Sequence, residues 1–264
     1  MSLSLRRVFD LARVFTITQK RTVGVTAGAV YAIMLALFLL GSLTGTGWGT
    51  GLSYHEVLFP MGLVLVGLVA TSMSFSGMHR ADRSYAYLTL PASDGEKFLE
   101  KLILSAVVFP VVAVASYFVF SLVLAGLSPL LFDRAFEVFN PFAVEAPQTV
   151  RAYIVASSVF LFGAAYFRSR HFVKTALAVA GLFILLTIVG ALSGWAAFGD
   201  LIRAMEAGAF DHTTVDTQQF RVLGERATQI ARVARFLGMW ILPPVMWVLT
   251  WAKLRETEVS DAVR

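Results

Sequence analysis

Apolar runs of about 20 residues alternate along the chain with shorter polar stretches, and six runs are long enough to cross the roughly 30 Å hydrocarbon core of a bilayer as helices. They cover residues 24–43, 57–75, 102–127, 149–167, 172–194 and 236–251. None shows the strict apolar–polar alternation of barrel strands, so the pattern predicts helices that satisfy their own backbone groups. Ahead of the first run, Leu5, Val8, Phe9, Leu11, Ala12 and Phe15 gather on one side of a helix. Arg6, Arg7, Asp10, Arg13, Lys20 and Arg21 gather on the other, with Val14 and Ile17 off the pattern. Residues 1–22 are therefore expected to lie at the headgroup boundary, apolar face down and cations toward anionic lipid. Such a helix is either a topogenic anchor or a docking element. Five basic side chains precede the first run and no small-x-small site follows it, so no cleaved signal peptide is expected.

The connection at 78–101 reads MHRADRSYAYLTLPASDGEKFLEK. Pro91 breaks an incoming helix. Two residues later Ser93 and Glu96 have the spacing of a capping box, the serine hydroxyl and the glutamate carboxylate each satisfying a backbone amide at a helix start. Asp94 and Glu96 also suit the positive end of that helix. The new helix should run through Lys97, Phe98, Leu99, Glu100 and Lys101 into the third span, forming a short exposed elbow at the membrane face. Pro110 in the third span and Pro243-Pro244 in the sixth each remove a backbone donor and predict local distortion. Between spans five and six, residues 195–235 form the longest non-apolar stretch. Phe220, Leu223, Ala227, Ile230 and Ala234 give its second half an amphipathic helical repeat, with Arg221 and Glu225 spaced to pair. Its first half, with Asp200, Glu206, Asp211 and Asp216, reads as a loop or short helices. The glycine-rich stretch 45–51 lacks the strand-to-helix setting of a phosphate fingerprint.

Charge orients the spans. The N-terminal segment, the second and fourth connections and the tail hold fifteen of the 22 Lys and Arg and eight of the 17 acids, for a net +7. The opposite segments hold seven cations and nine acids, for a net −2. Cytoplasmic segments are the cation-rich ones, so both termini are expected in the cytoplasm and the chain in the plasma (inner) membrane. Trp48, Trp195, Trp240 and Trp251 fall near run ends, where amphipathic rings prefer to sit. Composition agrees: 57% hydrophobic, 15% charged and a mean hydropathy of +0.72 leave too little polar surface for a soluble fold. The chain reads as a single transmembrane domain over 1–264. No cysteine is present, which removes disulfides, thiolate metal sites and thiol catalysis. The net charge of +5 forms no continuous basic stripe with stacking aromatics, so nucleic acid is not an expected partner.

Chemistry is sparse. No phosphate-binding loop, Gly-x-Ser-x-Gly elbow or His-Glu-x-x-His pair occurs. His55, His79, His171 and His212 lie far apart and are expected to be interfacial polar residues rather than ligands. The span centres hold no ionisable side chain, which argues against an intramembrane enzyme or a proton-driven pump. No catalytic residue, metal site or bound cofactor is therefore expected.

The layout resembles the membrane (permease) subunit of an ABC-2-type transporter. The closest match in words is LTLPASDGEKFLEKLIL at 88–104, with FRSRHFVKTAL at 167–177 and WAKLRETEV at 251–259 as lesser ones, similar to small permease-like membrane proteins of the Bacteroidota. The resemblance implies a separate ATP-binding subunit, docking on the elbow through Arg83, Leu90, Pro91, Ser93, Glu96, Lys97 and Lys101. Arg6, Arg7, Phe9 and Arg13 of the N-terminal helix would support them. It further implies that ATP stays in the partner, that a second permease copy or paralogue joins through span one and the region near span five, and that an apolar or amphipathic substrate is exported. A competing reading is a non-transporting subunit that anchors or scaffolds a larger membrane complex. A lipid-directed enzyme ranks last, since no catalytic constellation is present.

Overall fold

Lipid offers a backbone amide no partner, so an apolar run must hydrogen-bond within itself. Each of the six runs is helical over all but, at most, its last three residues. The computed structural model describes residues 5–45, 52–75, 93–167, 169–206 and 217–261. Its helices are α1 (Leu5–Thr44), α2 (Leu52–Ser72), α3 (Asp94–Ile103), α4 (Phe109–Phe132), α5 (Glu145–Tyr166), α6 (His171–Glu206), α7 (Thr217–Phe236) and α8 (Leu242–Asp261). A π turn at Leu104–Val108 joins α3 to α4, and another at Leu237–Ile241 joins α7 to α8. No strand occurs among the described residues. Six stretches are long and apolar enough to span a membrane: Lys20–Thr44, Tyr54–Ser72, Gly95–Phe132, Glu145–Tyr166, His171–Trp195 and Thr228–Glu256. The architecture is that of an all-helical, multi-pass membrane protein.

Helix α5 is the hub. It packs on α2, α6 and α8 and touches both π turns. Its buried face is built of small residues, Ser157, Ser158, Gly163, Ala164 and Ala165, interspersed with Tyr153, Phe160 and Leu161. Small side chains let helices approach closely where lipid supplies no hydrophobic drive. The two serine hydroxyls donate to carbonyls one turn back, at 3.0 Å to Ile154 and 2.7 Å to Val155. By contrast α6 exposes Leu177, Leu182, Phe183, Leu185, Leu186 and Ile188, an apolar surface that lipid solvates.

Helix ends sort into two groups. At the end bearing the chain termini, Phe75, Leu161 and Leu254 bury together with Phe98 and Leu102 against them. At the other end Phe38, Tyr54, Phe136 and Phe139 form part of the larger core cluster.

Each π turn is followed, after one intervening residue, by a proline: Phe109 leads to Pro110 and Leu242 to Pro243, and the reason is steric. A proline ring collides with the carbonyl four residues back and offers no N–H. Widening the turn moves that carbonyl aside: Phe109 N–H bonds Leu104 O and Leu242 N–H bonds Leu237 O, each five residues back. The distortion expected at Pro110 and Pro243-Pro244 is thus a π turn at each site.

Three expectations need correction. Residues 5–22 are not a helix separate from the first span: α1 runs unbroken for 40 residues, about 60 Å at 1.5 Å per residue. Its early turns pack on α3, with Val8 buried. A helix lying flat needs a break before the span, and neither proline nor a turn supplies one there. In the 195–235 stretch, Asp200 and Glu206 belong to a helical extension of α6 rather than to a loop or short helices. Its second half is helical as expected, in α7, while Asp211, Asp216 and the glycine-rich 46–51 lie outside the described residues. His55 lies at the end of the second span, as expected, but is buried in protein rather than facing headgroups or solvent, as described below.

Candidate functional site: a charge clamp at the start of the third span

The first turn of α3 has the capping geometry expected from its sequence. Ser93 is extended (φ −71°, ψ 156°). The Glu96 amide donates to Ser93 Oγ at 3.3 Å, and the Ser93 amide donates to Glu96 Oε2 at 2.9 Å. The same carboxylate oxygen lies 3.7 Å from the Arg7 guanidinium of α1. One carboxylate therefore closes the helix start and ties it to the N-terminal helix.

Charges continue along α3. Glu96 and Glu100 are one turn apart, as are Lys97 and Lys101, and like charges at that spacing repel. The structure offsets this with opposite partners: Lys101 Nζ lies 3.0 Å from Glu100 Oε1, and Arg7 faces Glu96. Glu96 has 0% exposure, Lys97 and Glu100 5% and Lys101 8%. The exposed elbow expected for this part of the connection is therefore not seen; Glu96, Lys97 and Lys101 face protein. The reason is tertiary, since α3 sits between α1 and α8 and Phe98 and Leu102 pack into the Phe75–Leu161–Leu254 cluster. Buried charges are costly unless paired, so these side chains act as a clamp. From the clamp the chain passes through the Leu104–Val108 π turn straight into α4.

Among the other residues singled out in the sequence, Arg13 is exposed on α1. Arg6 and Phe9 belong to α1, and their side chains lie outside the described set. Arg83, Leu90 and Pro91 also lie outside the described residues.

Two buried polar centres were missed by the sequence reading. The first is His55, whose Nε2 lies 2.8 Å from the Glu137 carbonyl and Nδ1 3.0 Å from the Tyr117 hydroxyl. A carbonyl only accepts, so Nε2 carries the proton and Nδ1 accepts from the tyrosine. Phe136 and Phe139, from the irregular segment after α4, pack against the imidazole with ring centroids 5.3 and 5.8 Å away. The Phe139 amide donates to Ser121 Oγ at 3.2 Å. This segment is thus stitched into the bundle by two sequence-distant bonds and an aromatic cage. The clue in the sequence was the polar Tyr54-His55-Glu56 at the edge of an apolar run.

The second centre is Tyr153, fully buried on α5. Its hydroxyl donates to Ser105 O at 2.9 Å and lies 3.3 Å from Thr71 Oγ1. In the π register Ser105 O would receive the amide of residue 110, which is proline. The tyrosine replaces that missing donor. Gly67 of α2 makes room: a Cβ there would overlap the Tyr153 ring and stand 2.6 Å from the Phe109 ring.

No group of three or more His, Cys, Asp or Glu is positioned for a metal among the described residues. Compared with protein-family models, curated proteins and solved structures, the chain matches none.

Proposed function

We propose that this chain is the membrane permease subunit of an ATP-driven, ABC-type transporter, and that the α3 clamp is its coupling lever. The observation that carries the reading is the pairing of buried Glu96 with the partly exposed Arg7, and of Glu100 with Lys101, at the start of a rod that continues into the third span. A helix start gripped from two sides passes a push on the α2–α3 connection into the bundle instead of yielding locally. In this reading both termini and the clamp face the cytoplasm of a plasma (inner) membrane, as the cation excess at that end favours. A separate ATP-binding subunit docks on the connection leading into Ser93 and binds the ATP. Glu96, Lys97 and Lys101 act as internal levers rather than contact residues. A second copy or paralogue completes the assembly, which exports an apolar or amphipathic substrate.

Purification from native membranes in mild detergent tests the reading. An ATPase retained in a two-to-two ratio supports it, with retention lowered in an E96A/K97A double variant that still inserts. A large stable complex containing no nucleotide hydrolase refutes it and favours the scaffold reading.

A further inference from the structure

Three cation–π pairs lie where spans four, five and six reach the termini end, and two of them share one surface. Lys174 Nζ stands 5.8 Å from the Phe167 ring, Lys253 Nζ 5.8 Å from the Tyr166 ring, and the Arg255 guanidinium 5.0 Å from the Trp251 ring. The Tyr166 and Phe167 rings meet edge to face at 5.2 Å, so the two ammonium groups belong to one continuous surface built from three helices. Arg170 lies exposed in the turn between α5 and α6. Among the described side chains of this cluster the one carboxylate is Glu256, 2.8 Å from Lys253 and itself exposed.

We propose that this surface is a seat for the headgroup of an anionic phospholipid. Three cations of this surface, Arg170, Lys174 and Lys253, against one carboxylate leave a net positive field. The rings hold the lysine stems in place, so less side-chain freedom is lost when an anion arrives. The level fits as well: Tyr166, His171 and Glu256 are the ends of membrane-crossing stretches, where aromatic rings lie among headgroups. Apolar Leu177 and Val173 on α6 are exposed beside the turn and offer acyl chains a surface. Positive charge selects phosphatidylglycerol over the zwitterionic phosphatidylcholine, and the acyl contact selects a lipid over free phosphate. The inference rests on the membrane-spanning architecture and is independent of the transport reading.

Native mass spectrometry of the full chain in a neutral detergent, titrated with dioleoyl phosphatidylglycerol, tests it. The wild type is expected to retain one or a few lipids saturably, with phosphatidylcholine bound weakly and inorganic phosphate not competing. Each juxtamembrane cation contributes about a 5-fold factor in affinity, so Lys174→Gln and Lys253→Gln singly should each weaken retention about 5-fold and the double variant more. An Arg134→Gln variant, in the segment after α4 at the opposite end of the bundle, should leave retention unchanged. Should the double variant not fold, the single ones are read in the same way. Equal retention of both lipids, unchanged retention in the lysine variants, an equal loss in the Arg134 variant, or displacement by inorganic phosphate would each overturn the proposal.

Discussion

Replacing Tyr153 by phenylalanine removes one oxygen and leaves the ring that packs on Phe109. The lost hydroxyl donates to Ser105 O at 2.9 Å and lies 3.3 Å from Thr71 Oγ1. Thr71 can turn its hydroxyl to a carbonyl one turn back, as the helix serines and threonines here do. Ser105 O has no such recourse, because the residue whose amide would reach it is Pro110. Leaving a buried acceptor unsatisfied costs about 1–3 kcal/mol, and hydrogen bonds inside membrane proteins fall toward the low end, with a maximum near about 1.7 kcal/mol. Y153F should therefore lose about 1–2 kcal/mol. Pro110→Ala restores an amide. Whether the segment keeps its π turn or relaxes to α-helix, Ser105 O then gains a backbone donor. In the P110A background Y153F should cost no more than about 0.5 kcal/mol, a coupling of about 0.5–1.5 kcal/mol or more, against the roughly 0.3–0.5 kcal/mol within which independent sites add. Reversible unfolding in mixed detergent micelles, followed by tryptophan fluorescence, measures all four corners of the cycle. Equal costs of Y153F in both backgrounds would refute the substitution of hydroxyl for amide, and a neutral Y153F in the wild type would refute the bond's importance outright.

Other sites give sharper contrasts than absolute values. Gly67→Ala should lose about 1–3 kcal/mol through overlap with Tyr153 and Phe109, while Gly24→Ala, with nothing within 4 Å, should be neutral or gain up to about 1 kcal/mol in helix propensity; similar losses at both would contradict the packing. His55→Ala strips the Glu137 carbonyl and Tyr117 hydroxyl of a partner and opens the aromatic cage, for about 2–4 kcal/mol. Because the chain has no cysteine, a single Cys placed at Phe139 reports directly. Its maleimide labelling should be slow in the wild type and much faster with H55A, and equal rates would deny that His55 holds the segment. Glu96→Ala should cost more than Glu96→Gln, since glutamine keeps an acceptor for the Ser93 amide while giving up the charge attraction to the partly exposed Arg7; thermal inactivation in detergent ranks the two, and equal losses would mean the cap contributes nothing.

Much of the fold was legible in the chain because lipid makes helix formation a local matter. A run of about 20 apolar residues must bond within itself, and the six runs match the six stretches long and apolar enough to span. The Ser93–Glu96 cap was readable for the same reason, since both bonds close within three residues. The prolines announced distortion; the widened turn that accommodates each one emerged only in the backbone. The interfacial helix was misjudged because an amphipathic pattern names a polar and an apolar face without saying whether lipid headgroups or another helix will meet them.

The amino-acid order alone thus determined the number of rods, their approximate limits, one helix start and the cation excess at one set of ends, all properties of short segments in an apolar solvent. Tertiary structure decided which polar groups meet. Arg7 reaches Glu96, His55 reaches a carbonyl 82 residues away, and Tyr153 completes a turn 48 residues upstream. Each of those encounters depends on which helices lie side by side, and there a buried polar atom takes whatever partner a neighbouring helix presents, because lipid supplies none.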